Sequence, residues 1–218
     1  MMKYFLFFGF YFINLVIYAQ EQDKELLLVR DRMEQVAQFT AVLRLELDIP
    51  FINMPPKEAA MEFKKGEEVE INSSDFVFLP KRGLDFSLSE LFKYPFITVD
   101  RGIKKQEDRS LKVLNIIPTV DASPLALATV YLDTLNMRLT AAEINTKKQG
   151  SYNVKSTYEE DSAILPSYIE VSFAIERLKI PLNFMGRDTA IDRKKMRNMD
   201  TKTGIVKMWI NYTAITLE

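Results

Sequence analysis

The chain has 218 residues, with 29 Lys and Arg against 30 Asp and Glu, a net charge of −1. It holds no Cys and no His, which excludes thiol nucleophiles, thiolate or imidazole metal sites and Ser-His-Asp triads within the chain. The charge balance gives no general attraction to nucleic acid or to an anionic membrane, and stability has to come from a core rather than from disulfides.

The N-terminus reads as an address. Lys3 precedes an apolar run from Phe5 to Tyr18, FLFFGFYFINLVIY, and Ala19-Gln20 leads into Glu21-Gln22-Asp23. The run is shorter than the ~20 residues of a spanning helix, so residues 1–20 read as a cleaved export signal of bacterial type and the product as periplasmic. Without a Cys after the cleavage zone, the mature chain does not carry an N-terminal lipid of its own. Residues 21–218 read as one domain, since no linker, repeat or low-complexity run divides them.

Glu21 to Gln38 has Leu26, Val29, Met33, Val36 and Ala37 at three- and four-residue steps, which predicts a helix with one apolar stripe. From Phe39 to Ile49 the pattern changes to strict alternation, with Phe39, Ala41, Leu43, Leu45, Leu47 and Ile49 on one face. Eleven residues make a long strand and imply a large curved sheet or barrel. Pro50 to Pro56, PFINMPP, ends it and carries Phe51, Ile52 and Met54 at a rim. These three either touch a bilayer or receptor there or fold back on the end of the sheet. Lys57 to Lys64 returns as a strand with Ala59, Met61 and Phe63 on one face, and short strands follow over Glu67 to Ile71 and Asp75 to Leu79. Ser87 to Tyr94 predicts a short helix with Ser87 and Glu90 at capping-box spacing and Leu88, Leu91 and Phe92 on its apolar face. Ile97 to Asp100 and Leu111 to Ile117 read as strands around a polar loop, Gly102 to Arg109.

The meander from Ala126 to Glu160 is the organising stretch. Strands over Ala126 to Asp133, Met137 to Lys147 and Ser151 to Glu159 are joined by Thr134-Leu135-Asn136 and Gln149-Gly150, residues suited to tight turns. Further strands follow over Leu165 to Arg177 and Gly204 to Leu217, separated by an apolar stretch from Lys179 to Phe184 and a charged one from Gly186 to Lys202. Alternation assigns Leu43, Leu45, Leu47, Met61 and Phe63 to the same concave face as Val130, Leu132, Met137 and Leu139. That face is either an open cavity or packed against the chain's own helices.

Chemistry-bearing motifs are few. Glu67-Glu68-Glu70, Glu107-Asp108 and Glu159-Glu160-Asp161 are the acidic groups, and no calcium loop, nucleophile elbow or phosphate-cradling Gly motif accompanies them. They read as solvated edges and turns, with a carboxylate-dependent hydrolase as the weaker alternative. The basic stretch Arg187, Arg193, Lys194, Lys195 and Arg197 reads as a surface loop. No cofactor, metal or catalytic residue is indicated.

The order of these stretches resembles the LolA-type carriers of outer-membrane lipoproteins. A helix runs into a long strand, EQVAQFTAVLRLELDI; a returning strand ends in basic residues, FKKGEEVEI; LKVLNIIP and the meander ALATVYLDTLNMRLTAAEINTKKQGSYNVKSTYEE follow. The resemblance covers Glu21 to Glu160. It implies a mainly β, α+β fold in which a curved antiparallel sheet forms a half-open β-barrel with an N-terminal helix and a short lid helix. It implies a non-enzymatic, monomeric carrier whose concave face holds the acyl chains of lipoproteins or free lipid. Its partners would be an inner-membrane release complex and an outer-membrane receptor. A sensor or scaffold of the same fold is the alternative. Leu88, Leu91 and Phe92 fall on the lid. Where the family often has an Arg-Pro step that ties the lid shut, this chain has Lys64-Lys65-Gly66. Lys65 thus stands in the latch position as a point charge, without the bidentate fork of an Arg.

Overall fold

A computed structural model of the chain describes residues 22–67, 69–73, 91–106, 109–148, 150–175 and 188–218. The export signal, Leu88, the Ser87 and Glu90 cap, the strand expected over Asp75 to Leu79 and the apolar run Lys179 to Phe184 lie outside these residues.

The chain begins with helix α1, Lys24–Glu34. Asp23 caps it, its carboxylate accepting from the amides of Glu25 and Leu26 at 3.0 and 3.2 Å, which satisfies donors that the first turn leaves free. The apolar stripe expected to run on to Ala37 stops at Gln35. Val36 and Ala37 belong instead to β1, Val36–Asp48, because β-branched and alternating residues there pair better in a ladder than on a helix.

Among the described residues, ten strands form one antiparallel sheet. β1 pairs with β3, Lys57–Lys64, which pairs with the short β4, Glu70–Asn72. A meander then runs through β5, Phe96–Gln106; β6, Arg109–Pro118; β7, Leu125–Asp133; β8, Arg138–Thr146; β9, Ser151–Thr157; and β10, Tyr168–Ile175. The last strand, β12, Lys202–Leu217, lies between β10 and β1 and joins the two halves. A two-stranded ladder pairs β2, Ile52–Asn53, with β11, Ala190–Ile191, and the short helix α2, Arg193–Asn198, follows it.

One expected loop proves to be a hairpin. Gly102 to Gln106 belong to β5 and Arg109 to β6. Apart from Ile103 their side chains are polar and exposed on both faces, so no alternation announces them. The register slips between Asp100 and Ile103, where Gly102 adopts φ +85°, a bulge that glycine accommodates without steric cost.

The sheet is bent rather than closed. The N-terminal end of α1 is tied to β5 and β6, where the Asp23 amide donates to Thr98 Oγ1 at 2.9 Å and Lys112 pairs with Asp23 at 2.6 Å. Its C-terminal end enters β1. Six strand spacings separate β6 from β1, about 29 Å along a flat sheet, whereas the 11 residues of α1 rise only about 16 Å. The sheet therefore curves into a trough beneath the helix, the open half-barrel that the strand pattern and the resemblance both imply.

Candidate functional site

The concave face is built by register. One row of paired residues crosses seven strands: Leu47, Val206, Val171, Val154, Ala142, Val130 and Leu114. Every member is apolar, and beside it run Ala59, Leu43 and Ile210, then Met61, Ala41 and Tyr212. Alternation along each strand brings these residues to one side and sends Arg44, Glu46, Lys207 and Glu170 to the other.

Most of the sequence-assigned residues meet on this face. Leu43, Leu45, Met61, Val130, Leu132 and Leu139 are buried in a single cluster, and Leu47 is half-buried against it. Phe63 is half-buried and stacks on Phe39 with ring centroids 5.2 Å apart. Met137 does not belong with them. It lies in the β7–β8 turn at φ +46°, is 41% exposed and precedes β8 by one residue. The turn takes four residues rather than three, which removes Met137 from the ladder.

What covers the face comes from the chain itself. Leu26 and Val29 of α1 are buried in the same cluster, together with Leu91 and Phe96. Phe92 is half-buried, packs on Phe96 at 5.4 Å and lies 5.6 Å under the Arg30 guanidinium of α1. The rim position of Phe51, Ile52 and Met54 is corrected in the same way. All three are buried, Phe51 to 2% exposure, and Ile52 is held by the β2–β11 ladder. The loop folds inward because burying three large apolar side chains at the end of the trough outweighs leaving them in water.

Polar fastenings set the edges of the cover. At the start of α1, Lys112 pairs with both Asp23 and Glu25. Burial opposes its charge, but the two carboxylates outweigh burial and raise its pKa. Near the other end of the helix, Arg32 donates to the carbonyl oxygens of Asn136 and, at 2.7 Å, Ser162. These carbonyls belong to the β7–β8 turn and the β9–β10 loop. Arg138, 2% exposed, braces both. Its Nε donates to Asp133 at 3.2 Å, its Nη1 to the Glu160 carbonyl at 2.9 Å and its Nη2 to Asp161 at 2.8 Å, and its guanidinium lies 4.7 Å from the Tyr158 ring centroid. Burial works to raise the Asp133 pKa, but hydrogen bonds from Asn136 and the Arg138 charge hold it below the usual carboxylate range. Burial pushes the Tyr158 hydroxyl up to about 12, and that hydroxyl donates to the Leu139 carbonyl at 2.9 Å. At the opposite end of the trough the buried Lys57 donates to Asp188 at 2.6 Å, and this hydrogen bond lowers the Asp188 pKa.

Lys65 does not tie the cover. Its ammonium pairs with Glu218 at 2.5 Å, both side chains exposed, and its amide donates to Ala37, so it fastens the end of β3 to the C-terminus. The latch-like contacts of the structure are those of Arg32 and Lys112. Sequence reasoning passed over both, along with Arg138 and Lys57, because charged residues in alternating patterns read as solvated faces. The one usable signal was Asp133 and Arg138 flanking the same turn with opposite charge.

The residues of the face are apolar apart from the Tyr212 hydroxyl, which donates to the Pro166 carbonyl at 3.2 Å. The arrangement is an apolar surface covered by α1 and by Leu91 and Phe92, and no paired carboxylates or nucleophile face it among the described residues.

No protein-family model matches the chain, and no curated protein matches it. Among solved structures it is similar to a LolA superfamily protein from Nitrosomonas europaea, at 10% identity over 87% of this chain and 92% of that one, with a TM-score of 0.48. It is similar also to a putative outer membrane lipoprotein-sorting protein domain from Vibrio parahaemolyticus, at 11% identity over 88% and 92%, TM-score 0.49. A DUF1329 family protein from Desulfovibrio piger is similar at 8% identity over 89% and 92%, TM-score 0.43. Likeness at this level concerns overall architecture, and functions do not pass through it.

Proposed function

We propose that this protein is an exported, non-enzymatic carrier that binds the acyl chains of lipoproteins or of free lipid on the concave face of its half-barrel. The carrying observation is the unbroken apolar row from Leu47 to Leu114 across seven strands. Its six spacings span about 29 Å, roughly twice the ~15 Å depth of one bilayer leaflet's hydrocarbon. Each CH₂ buried contributes about 0.8 kcal/mol, so affinity needs no polar group on the face.

In the state described, the cover occupies the face. Uptake therefore proceeds by lifting α1: Leu26 and Val29 leave, an acyl chain takes their place, and the fastenings at Lys112 and Arg32 yield. Leu91 and Phe92 form the neighbouring part of the lid. Residues 1–20 act as a cleaved export signal, residues 21–218 as one periplasmic domain and monomer. Loading and release involve an inner-membrane complex and an outer-membrane receptor.

The test is mass spectrometry of organic extracts from protein purified out of its native periplasm. Co-purifying lipid or acylated protein supports carriage. Protein free of acyl chains, with lipoproteins correctly placed in a depletion strain, defeats it.

A further inference from the structure

The two ends of the trough differ in what they show to solvent. The end that carries α1 is formed by the β5–β6 tip, the β7–β8 turn and the β9–β10 loop. Ten large apolar side chains stand exposed among the described residues: Leu28, Val42, Val69, Val99, Ile103, Leu135, Met137, Trp209, Ile215 and Leu217. All but the mid-strand Val42, Val99 and Trp209 lie at this helix end. The most exposed are Leu135, at 88%, on the β7–β8 turn and Ile103, at 68%, near the β5–β6 tip. At the opposite end the apolar loop residues are buried, as described for Phe51.

We propose that the helix end is a bilayer-docking rim, in which Leu135, Met137 and Ile103 enter the headgroup layer while Leu28 of α1 faces the same surface. Two observations favour a bilayer over a protein partner. The apolar side chains stand on separate elements, α1, β5, β12 and the β7–β8 turn among them, and a fluid layer accommodates such spacing where a packed protein interface does not. The rim is also continuous with α1, so an acyl chain would pass from bilayer to trough without crossing water. This last point rests on the carrier reading.

The chain has no Cys, so single substitutions can be labelled cleanly. Leu135→Cys, Ile103→Cys and, at the opposite end, Lys148→Cys in the exposed β8–β9 connection are each coupled to an environment-sensitive fluorophore. They are then mixed with vesicles of phosphatidylethanolamine and phosphatidylglycerol. Blue-shifted emission, quenched by spin-labelled lipid, is expected at 135 and 103 and not at 148. The double variant Leu135→Ser, Ile103→Ser should bind vesicles about tenfold more weakly with unchanged thermal stability. Silent labels at 135 and 103 overturn the proposal, including the case in which they respond only to a protein. Equal shifts at all three sites overturn it too, since they report insertion without orientation. Acyl uptake from detergent micelles, measured in parallel, separates this proposal from the carrier reading. Uptake with silent labels removes docking alone, and oriented docking without uptake removes carriage alone.

Discussion

Replacing Arg32 by Ala should loosen α1 while leaving the sheet intact. Arg32 reaches the carbonyls of Asn136, Met137 and Ser162 from the last turn of the helix. A hydrogen bond from a charged donor contributes about 1.5–3 kcal/mol, and because this side chain is partly solvated the low end applies, about 2 kcal/mol for the group. The apolar anchors Leu26 and Val29 contribute about 3–6 kcal/mol together and remain. The substitution thus shortens the free-energy gap to an open helix by about 2 kcal/mol, which raises the open population roughly thirtyfold. Native-state hydrogen exchange reads this directly. The amides from Leu27 to Met33 should exchange about thirtyfold faster, whereas those of Val130 and Ala142 in the central strands should not change. Unchanged exchange in α1 would show that Arg32 does not hold the cover. Equal acceleration in strand and helix would show that α1 does not move as a separate unit. Either result refutes the lifting of α1 as the route of uptake.

Other expectations follow from the same contacts. Asp133 titrates below its ordinary range in the folded state, so the folded protein holds fewer protons than the unfolded chain near the ordinary carboxylate pKa. Its contribution is full above that pKa and is lost as pH falls through the depressed folded value. Asp133→Asn should therefore flatten the acid limb of a urea-midpoint profile and cost about 1.5–3 kcal/mol at neutral pH, since the buried Arg138 loses one of its two carboxylate partners and keeps Asp161; an acid limb identical to that of the parent would rule out this pair as its source. Gly150 sits at φ +97°, and a Cβ there would lie 2.3 Å from the Ala174 carbonyl oxygen. Gly150→Ala should destabilise by about 2 kcal/mol or more, read from the denaturation midpoint, and a neutral substitution would contradict this backbone approach. Phe51→Ala should cost about 3–5 kcal/mol in calorimetry, and retention of the parent's melting temperature would return Phe51 to an exposed role at the rim.

The parts of the fold that sequence made legible are those with one wet and one dry face. β1, β3, β7, β10 and β12 alternate cleanly, so their faces follow from period two. The β5–β6 hairpin was hidden because its outer residues, Val99 to Gln106, are exposed on both sides and nothing in them alternates. The end of α1 was overextended because Val36 continues a helical stripe as well as it begins a strand. Phe51, Ile52 and Met54 were recognisable as an apolar cluster, but whether such a loop turns outward or inward depends on the space at the end of the trough, which is a tertiary quantity. The same holds for Arg32 and Lys112. Their partners are 104 and 89 positions distant, and charge alone does not identify them.

The most direct measurement is photolabelling with a diazirine-bearing fatty acid, followed by peptide mapping of the adducts. The account predicts adducts on the concave residues of β1, β7, β8 and β12, among them Leu43, Val130, Leu132 and Met208, with yields that rise in the Arg32→Ala variant. Adducts confined to Leu135, Ile103 and the outer face, or none that unlabelled fatty acid competes away, would contradict it.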